Sequence, residues 1–172
     1  LVAGGHRLRA EAIAGLAFID AEVRDMSDAE ARIAEIDENV VRQDLTALDR
    51  ALALAERKRL YEEAHPEARH GGDRRSKKAA QNQVANLATW SRFSKDAAKK
   101  TGFSERSIRR ATELAACLDA ETIQLLRATK LADNAAALKK LAALEPAVRR
   151  DVAHLIGFGQ ARSINDALAQ LG

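Results

Sequence analysis

Six Lys and Arg fall within residues 93–110, and their spacing is the first chemical signal in this sequence. Arg106, Arg109 and Arg110 stand beside Ser104 and Ser107, with Lys95, Lys99 and Lys100 a short distance upstream. A guanidinium offers a planar fork of donors that fits a guanine edge or a phosphate, whereas an ammonium acts as a point charge. The set suits a nucleic-acid duplex, and the plain alternative is a helical hairpin with a solvated basic face. A second candidate is "AGGHRLRA" (3–10), where Gly4 and Gly5 precede Arg7 and Arg9. Consecutive glycines at the start of a helix offer free backbone N–H groups and nearby cations to an anion. A packed glycine turn with two surface arginines would look the same. The third is "DENVVR" (37–42), in which Glu38 and Arg42 share a helix face with Asn39 beside them. Alone, that pattern reads as a surface ion pair as readily as a metal or phosphate site. Asp37, Glu38 and Asp44 are the carboxylates near these boxes, and without a general base they make a weak case for metal-dependent phosphodiester hydrolysis.

Other chemistries are excluded by residue type. The single Cys117 leaves no internal disulfide framework and no cysteine zinc cluster, and His6, His65, His70 and His154 have no ligand-like spacing. Cys117 and Trp90 read as structural residues. A reducing, cytoplasmic setting is expected, with no run of apolar residues long enough for a bilayer span. The chain opens without Met on an apolar tetrad that reads as the tail of a strand, and so as part of a longer protein.

These side chains need elements to hold them. Aromatic residues make up 3% of the chain against 47% hydrophobic, so the core must be built from Ala, Leu, Ile and Val at helical spacing. "LVAG" and "AFIDAEVRDM" read as two strands flanking a helix from His6 to Leu16, with a further helix opening at Asp28. From Leu45 the pattern is helical, with Leu45, Leu48, Leu52, Ala55 and Leu60 on one face. Breaks are expected near Asp119, Lys130, Pro146 and Gly157, with Ser163 as the cap of a last short helix. The division expected is 1–44 a partial α/β unit, 45–66 a connecting helix, 67–82 a mobile basic loop, 83–145 a helical DNA-binding domain, and 146–172 terminal helices. In the loop, Arg74, Arg75, Lys77 and Lys78 are placed to follow phosphates. Residues 1–50 hold 6 basic and 11 acidic groups, 51–110 hold 15 and 7, and 111–172 hold 7 and 7. A field concentrated in the middle third implies a polyanionic partner.

Within that third, Ala98, Gly102 and Ile108 have helix-turn-helix spacing: a small residue for close approach, a glycine for the turn, and an apolar residue buried against both helices. Ser94 and Ser104 are placed to cap the two helices. With Ile108 inward, Arg106, Ser107, Arg109 and Arg110 face out.

Taken in order, the boxes resemble the ParB family of partition proteins. "AGGHRLRA" is similar to the family's arginine-rich box, usually A-G-E-R-R-x-R-A, with Gly5 and His6 standing for Glu and Arg. "ENVVRQDLTALD" is similar to its E-N-x-x-R-x-D-L-x-x-x-E box, and the helix-turn-helix follows as it does there. The resemblance covers roughly residues 1–145 and implies a mainly α chain with a partial ParB/sulfiredoxin-like α/β unit at its start. By position it assigns Gly4, Arg7 and Arg9 to a triphosphate, Glu38 to magnesium, and Asn39 and Arg42 to phosphates. The implied cofactors are CTP and Mg²⁺, with clamping on DNA and a CTPase activity in the intact protein. The cysteine that sulfiredoxin chemistry needs is missing from the "GGHR" motif. The implied partners are double-stranded DNA, a partition ATPase and a second copy of the intact chain, with no membrane, on the nucleoid or a plasmid. A ParB-like transcriptional regulator without a nucleotide switch would use the same module.

Overall fold

Short polar residues open the helices where the sequence sets them before an apolar stripe. The computed structural model describes residues 2, 4–41, 44–64 and 92–172. Ser27 opens α2 (Asp28–Val40) with a full capping box, in which its hydroxyl accepts from the Glu30 N–H while the Glu30 carboxylate accepts from the Ser27 N–H at 2.8 Å. Thr46 does the same work for α3 (Ala47–Ala64), accepting from the Asp49 N–H at 3.1 Å. Residues 92–101 form α4, and Ser104 caps α5 (Glu105–Cys117). Asp119 caps α6 (Ala120–Arg127), a 3₁₀ turn covers Lys130–Asp133, and Asn134 caps α7 (Ala135–Ala142). Pro146 takes the first position of α8 (Pro146–Gly157), where its missing N–H is no loss, and Ser163 caps α9 (Ile164–Leu171). The breaks expected at Asp119, Lys130, Pro146, Gly157 and Ser163 are all present.

Two apolar cores meet on α3. Leu48 at its start joins Leu118, Leu126, Leu138, Leu141, Val152 and Ile164 from α6 to α9 and their connections. Leu54 and Leu60 farther along join Ile36 and Val40 of α2, Phe93 and Ala97 of α4, and Ile108 of α5. Each fully buried Leu or Ile contributes about 1.5–3 kcal/mol, so α3 is the spine on which both halves rest. Gly157 lets α8 lie against α6, because a Cβ there would stand 3.0 Å from the Leu125 Cβ.

At the amino-terminal end the expected α/β unit is not seen. The helix is there as α1 (Gly5–Ile13), ended by Gly15 at φ +74°, but no strand occurs among the described residues. Residues 17–27 run without regular structure, and Phe18 and Val23, the apolar residues of the second expected strand, are each 92% exposed. Alternation makes a strand only when a ladder partner takes its N–H and C=O groups and a second layer covers its apolar face. The described residues supply neither, and α1 itself buries no residue.

Arg149 ties the carboxyl-terminal half together. From α8 it donates to the carbonyls of Leu141, Ala142 and Leu144 at 3.3, 2.9 and 2.8 Å, and also to that of Cys117 at the end of α5. Helix carboxyl ends leave carbonyls without intrahelical partners and carry partial negative charge, so one cation serves two ends. Arg149→Ala is expected to cost about 2 kcal/mol, read as a fall in Tm of about 4–8 °C. A thermal unfolding curve that matches wild type would show that water replaces the guanidinium at no cost.

Candidate nucleic-acid interface

The turn between α4 and α5 is set by local chemistry. Thr101 closes α4 by donating its hydroxyl to the Ala97 carbonyl at 2.7 Å, and the Gly102 N–H follows on the Ala98 carbonyl at 2.9 Å. Gly102 sits at φ +75°, where any side chain would strain the backbone. Ser104 then accepts from the Ser107 N–H at 3.1 Å to open α5, as its position suggested. Ser94 does not cap. The helix is already under way at residue 92, and the Ser94 hydroxyl, buried, instead donates to the Glu105 Oε2 at 2.7 Å across the turn. An acceptor on the facing helix satisfies it better than a backbone N–H already inside the helix would.

Burial fixes the faces of both helices. On α5, Ile108, Thr112 and Ala115 are buried, and on the 3.6-residue period Arg106 and Arg110 lie nearly opposite Ile108 with Ser107 and Arg109 at their sides. All four are exposed. Arg109 pairs with Glu113 at 2.8 Å, and among the described residues Arg106 and Arg110 make no ion pair. On α4, Phe93 and Ala97 face the core while Lys95, Lys99 and Lys100 are exposed. Arg92 stands one turn before Lys95 on the same exposed side and extends the basic stripe. Arg50 of α3 lies over the Phe103 ring at 5.6 Å, which holds the turn against the spine. Arg74, Arg75, Lys77 and Lys78 lie outside the described residues, as does Trp90. Cys117 is exposed at the last residue of α5 and takes no part in the core.

Sequence reasoning missed Arg57. It is fully buried in the α3 stripe of Leu48, Ala51, Leu54 and Leu60, where the expected face had Leu52 and Ala55 instead. Its Nε and Nη2 donate to the two oxygens of Asp37 on α2 at 2.5 and 3.0 Å, and Nη2 also donates to Asp96 on α4 at 2.8 Å. Burial works against the charge, but the hydrogen bonds and charges of the two carboxylates outweigh it and hold the guanidinium above its ordinary pKa. Positions 48, 51, 54, 57 and 60 wind around α3 by about 60° per step, so no single-face stripe marked the arginine in the sequence.

The amino-terminal boxes are less assembled. Gly4 precedes α1 at φ +82°, and Arg7 and Arg9 project from that exposed helix, Arg7 at 4.0 Å from Glu11. Glu38 is exposed and Asn39 half-buried on α2, while Arg42 lies outside the described residues. A cleft of about 260 Å³ opens between α2 and α3 beside Asn39, and its lining includes Asp44 and Glu56 together with Arg32. Arg32 is already bound to Glu35 at 2.7 Å and Glu56 at 3.0 Å. Asp44 in that wall disfavours an anion, while Glu56 is already neutralised by Arg32. Among the described residues no three His, Cys, Asp or Glu gather into a metal site. A second cleft, of about 290 Å³, brings Lys130, Lys140 and Arg162 together with no carboxylate in its wall, and none of the three stood out in the sequence. No helix of the described residues is long and apolar enough to cross a membrane.

Comparison with known proteins bears on the same chemistry. No family model and no solved structure matches the chain. It is 47% identical over 51 residues to a probable plasmid-partitioning protein ParB of Xylella fastidiosa, a match covering 30% of this chain and 13% of that protein. It is 44% identical over 54 residues to a probable plasmid-partitioning protein ParB of Thermus thermophilus, covering 31% of this chain and 18% of that one. The chain thus spans less than a fifth of the length of these curated relatives in the part that matches. Over about 30% of its residues, it is similar to ParB plasmid-partitioning proteins.

Proposed function

We propose that this chain reads double-stranded DNA as part of a ParB-type partition protein, with α4 and α5 as a helix-turn-helix and α5 as the helix that enters the major groove. The observation that carries the reading is the division of α5: Ile108, Thr112 and Ala115 are buried, and Arg106, Ser107, Arg109 and Arg110 are turned outward just after the capped amino end. That is where a recognition helix meets base edges and phosphates. Lys95, Lys99 and Lys100 would hold the backbone, joined by Arg74, Arg75, Lys77 and Lys78. The partial likeness to two ParB proteins supports the same reading. The intact protein would then work as a homodimer on a palindromic site, in the cytoplasm on nucleoid or plasmid DNA, with a partition ATPase as partner. Clamping with CTP and magnesium is carried by the resemblance of the two boxes, and titration calorimetry with CTP and Mg²⁺ tests it separately.

The experiment is selection of bound duplexes from a random pool, with binding followed by fluorescence anisotropy at two salt concentrations. Enrichment of one motif, with the free energy of binding falling as salt rises, is the expected result. Salt-sensitive binding with no enriched motif would overturn sequence-specific reading and leave a protein that only tracks phosphates.

A further inference from the structure

Arg57 occupies a place where packing alone calls for an aliphatic side chain. It lies between Leu54 and Leu60 in the buried stripe of α3 and has no exposed surface. An apolar residue of similar volume generally fills such a site at equal or better stability, because no charge then has to leave water. What the aliphatic residue lacks is direction. The guanidinium fork fixes its partners in angle as well as distance, and here the partners are Asp37 of α2 and Asp96 of α4. Phe93 of α4 adds its ring at 5.7 Å from the guanidinium carbon. The Ser94 hydroxyl on Glu105 then joins α4 to α5. Polar contacts therefore join α2 and α4 through Arg57, and α4 to the helix with the outward arginines through Ser94.

We propose that Arg57 is a positioning residue that sets the angle at which α4 and α5 stand on α2 and α3, and thereby the sequence discrimination of the α5 face. The second half of that statement rests on the DNA reading above, and the first does not.

The test separates the two. The single cysteine, Cys117, is exposed at the end of α5, so a spin label there and another at Asp28→Cys report the distance between α5 and α2 by pulsed electron resonance. Two variants of the full chain are compared with wild type. Arg57→Met/Asp37→Leu/Asp96→Ala removes all three charges together, and Asp96→Asn keeps the shape while weakening the tie to α4. Both are expected to keep a near-wild-type Tm and to broaden the distance distribution about twofold. The preference for the selected site over random duplex should fall about tenfold, the size of a single lost base contact, with random-duplex affinity and salt slope unchanged. If the triple variant fails to fold, Asp96→Asn decides. An unchanged distribution at unchanged Tm overturns the positioning role whatever the DNA result. A wild-type chain without site preference overturns the DNA reading instead, and the distance distributions still decide for or against Arg57.

Discussion

Arg57→Ala is expected to lower the stability of the chain by about 3–5 kcal/mol, the usual cost of removing one partner from a buried ion pair. The loss has two sources. Asp37, whose side chain is 13% exposed, would be left with no cation facing it, and the stripe between Leu54 and Leu60 would lose the atoms that fill it. Asp96 adds little to the sum, since at 38% exposure water screens its share of the interaction. Asp96→Ala alone should therefore cost about 1 kcal/mol or less. Urea unfolding followed by circular dichroism measures both, with the midpoint reporting stability and an unchanged slope confirming a comparable unfolded state. An Arg57→Ala midpoint equal to wild type would mean that water enters the site and solvates Asp37 without cost. Against the triple substitution the difference is plain: removing one charge is expensive, and removing all of them together is not.

What the sequence revealed and what it hid divide by the range of the interactions. The turn at Gly102, the inward Ile108, the break at Asp119 and the caps at Ser104 and Ser163 each depend on residues within about two helical turns, and each was readable. Arg57 was not, because its partners lie 20 and 39 residues away and nothing local marks an arginine for burial. Periodicity placed it on a plausible helix and found only part of the buried surface, with Leu48 and Leu60 buried and Leu52 packed on the core, since α3 is covered by α2 on one side and by α4 and α5 on another. Two coverings widen the buried stripe beyond what a surface helix shows. The strand expected over 17–26 is not seen, for the opposite reason, and the one expected over 1–4 lies partly outside the described residues. Alternation of Phe18 and Val23 is a local signal, but a strand is a tertiary object that exists only with its neighbour.

The consequence for recognition is that the α5 face must be tested against the scaffold beneath it. Arg106→Ala and Arg109→Ala are each expected to weaken binding to the selected site by about 1–3 kcal/mol if the side chain forks to a base, a loss of roughly 5- to 150-fold. Binding to random duplex should change much less. Lys99→Ala should weaken all sequences alike and lower the salt slope by about one. Releasing Arg109 from Glu113 is cheap, because the pair is 67% and 56% exposed and a surface ion pair contributes at most about 1 kcal/mol. Glu113 thus holds the guanidinium over the face at little cost to later contact with DNA. Anisotropy titrations of the three variants against selected and random duplexes, each at two salt concentrations, separate the roles. Equal losses on every sequence for all three would make the outward arginines phosphate contacts like the lysines, and would move the search for specificity away from α5. A loss confined to the selected site for Arg106 or Arg109, with Lys99 indifferent to sequence, places base reading on the outward surface of α5.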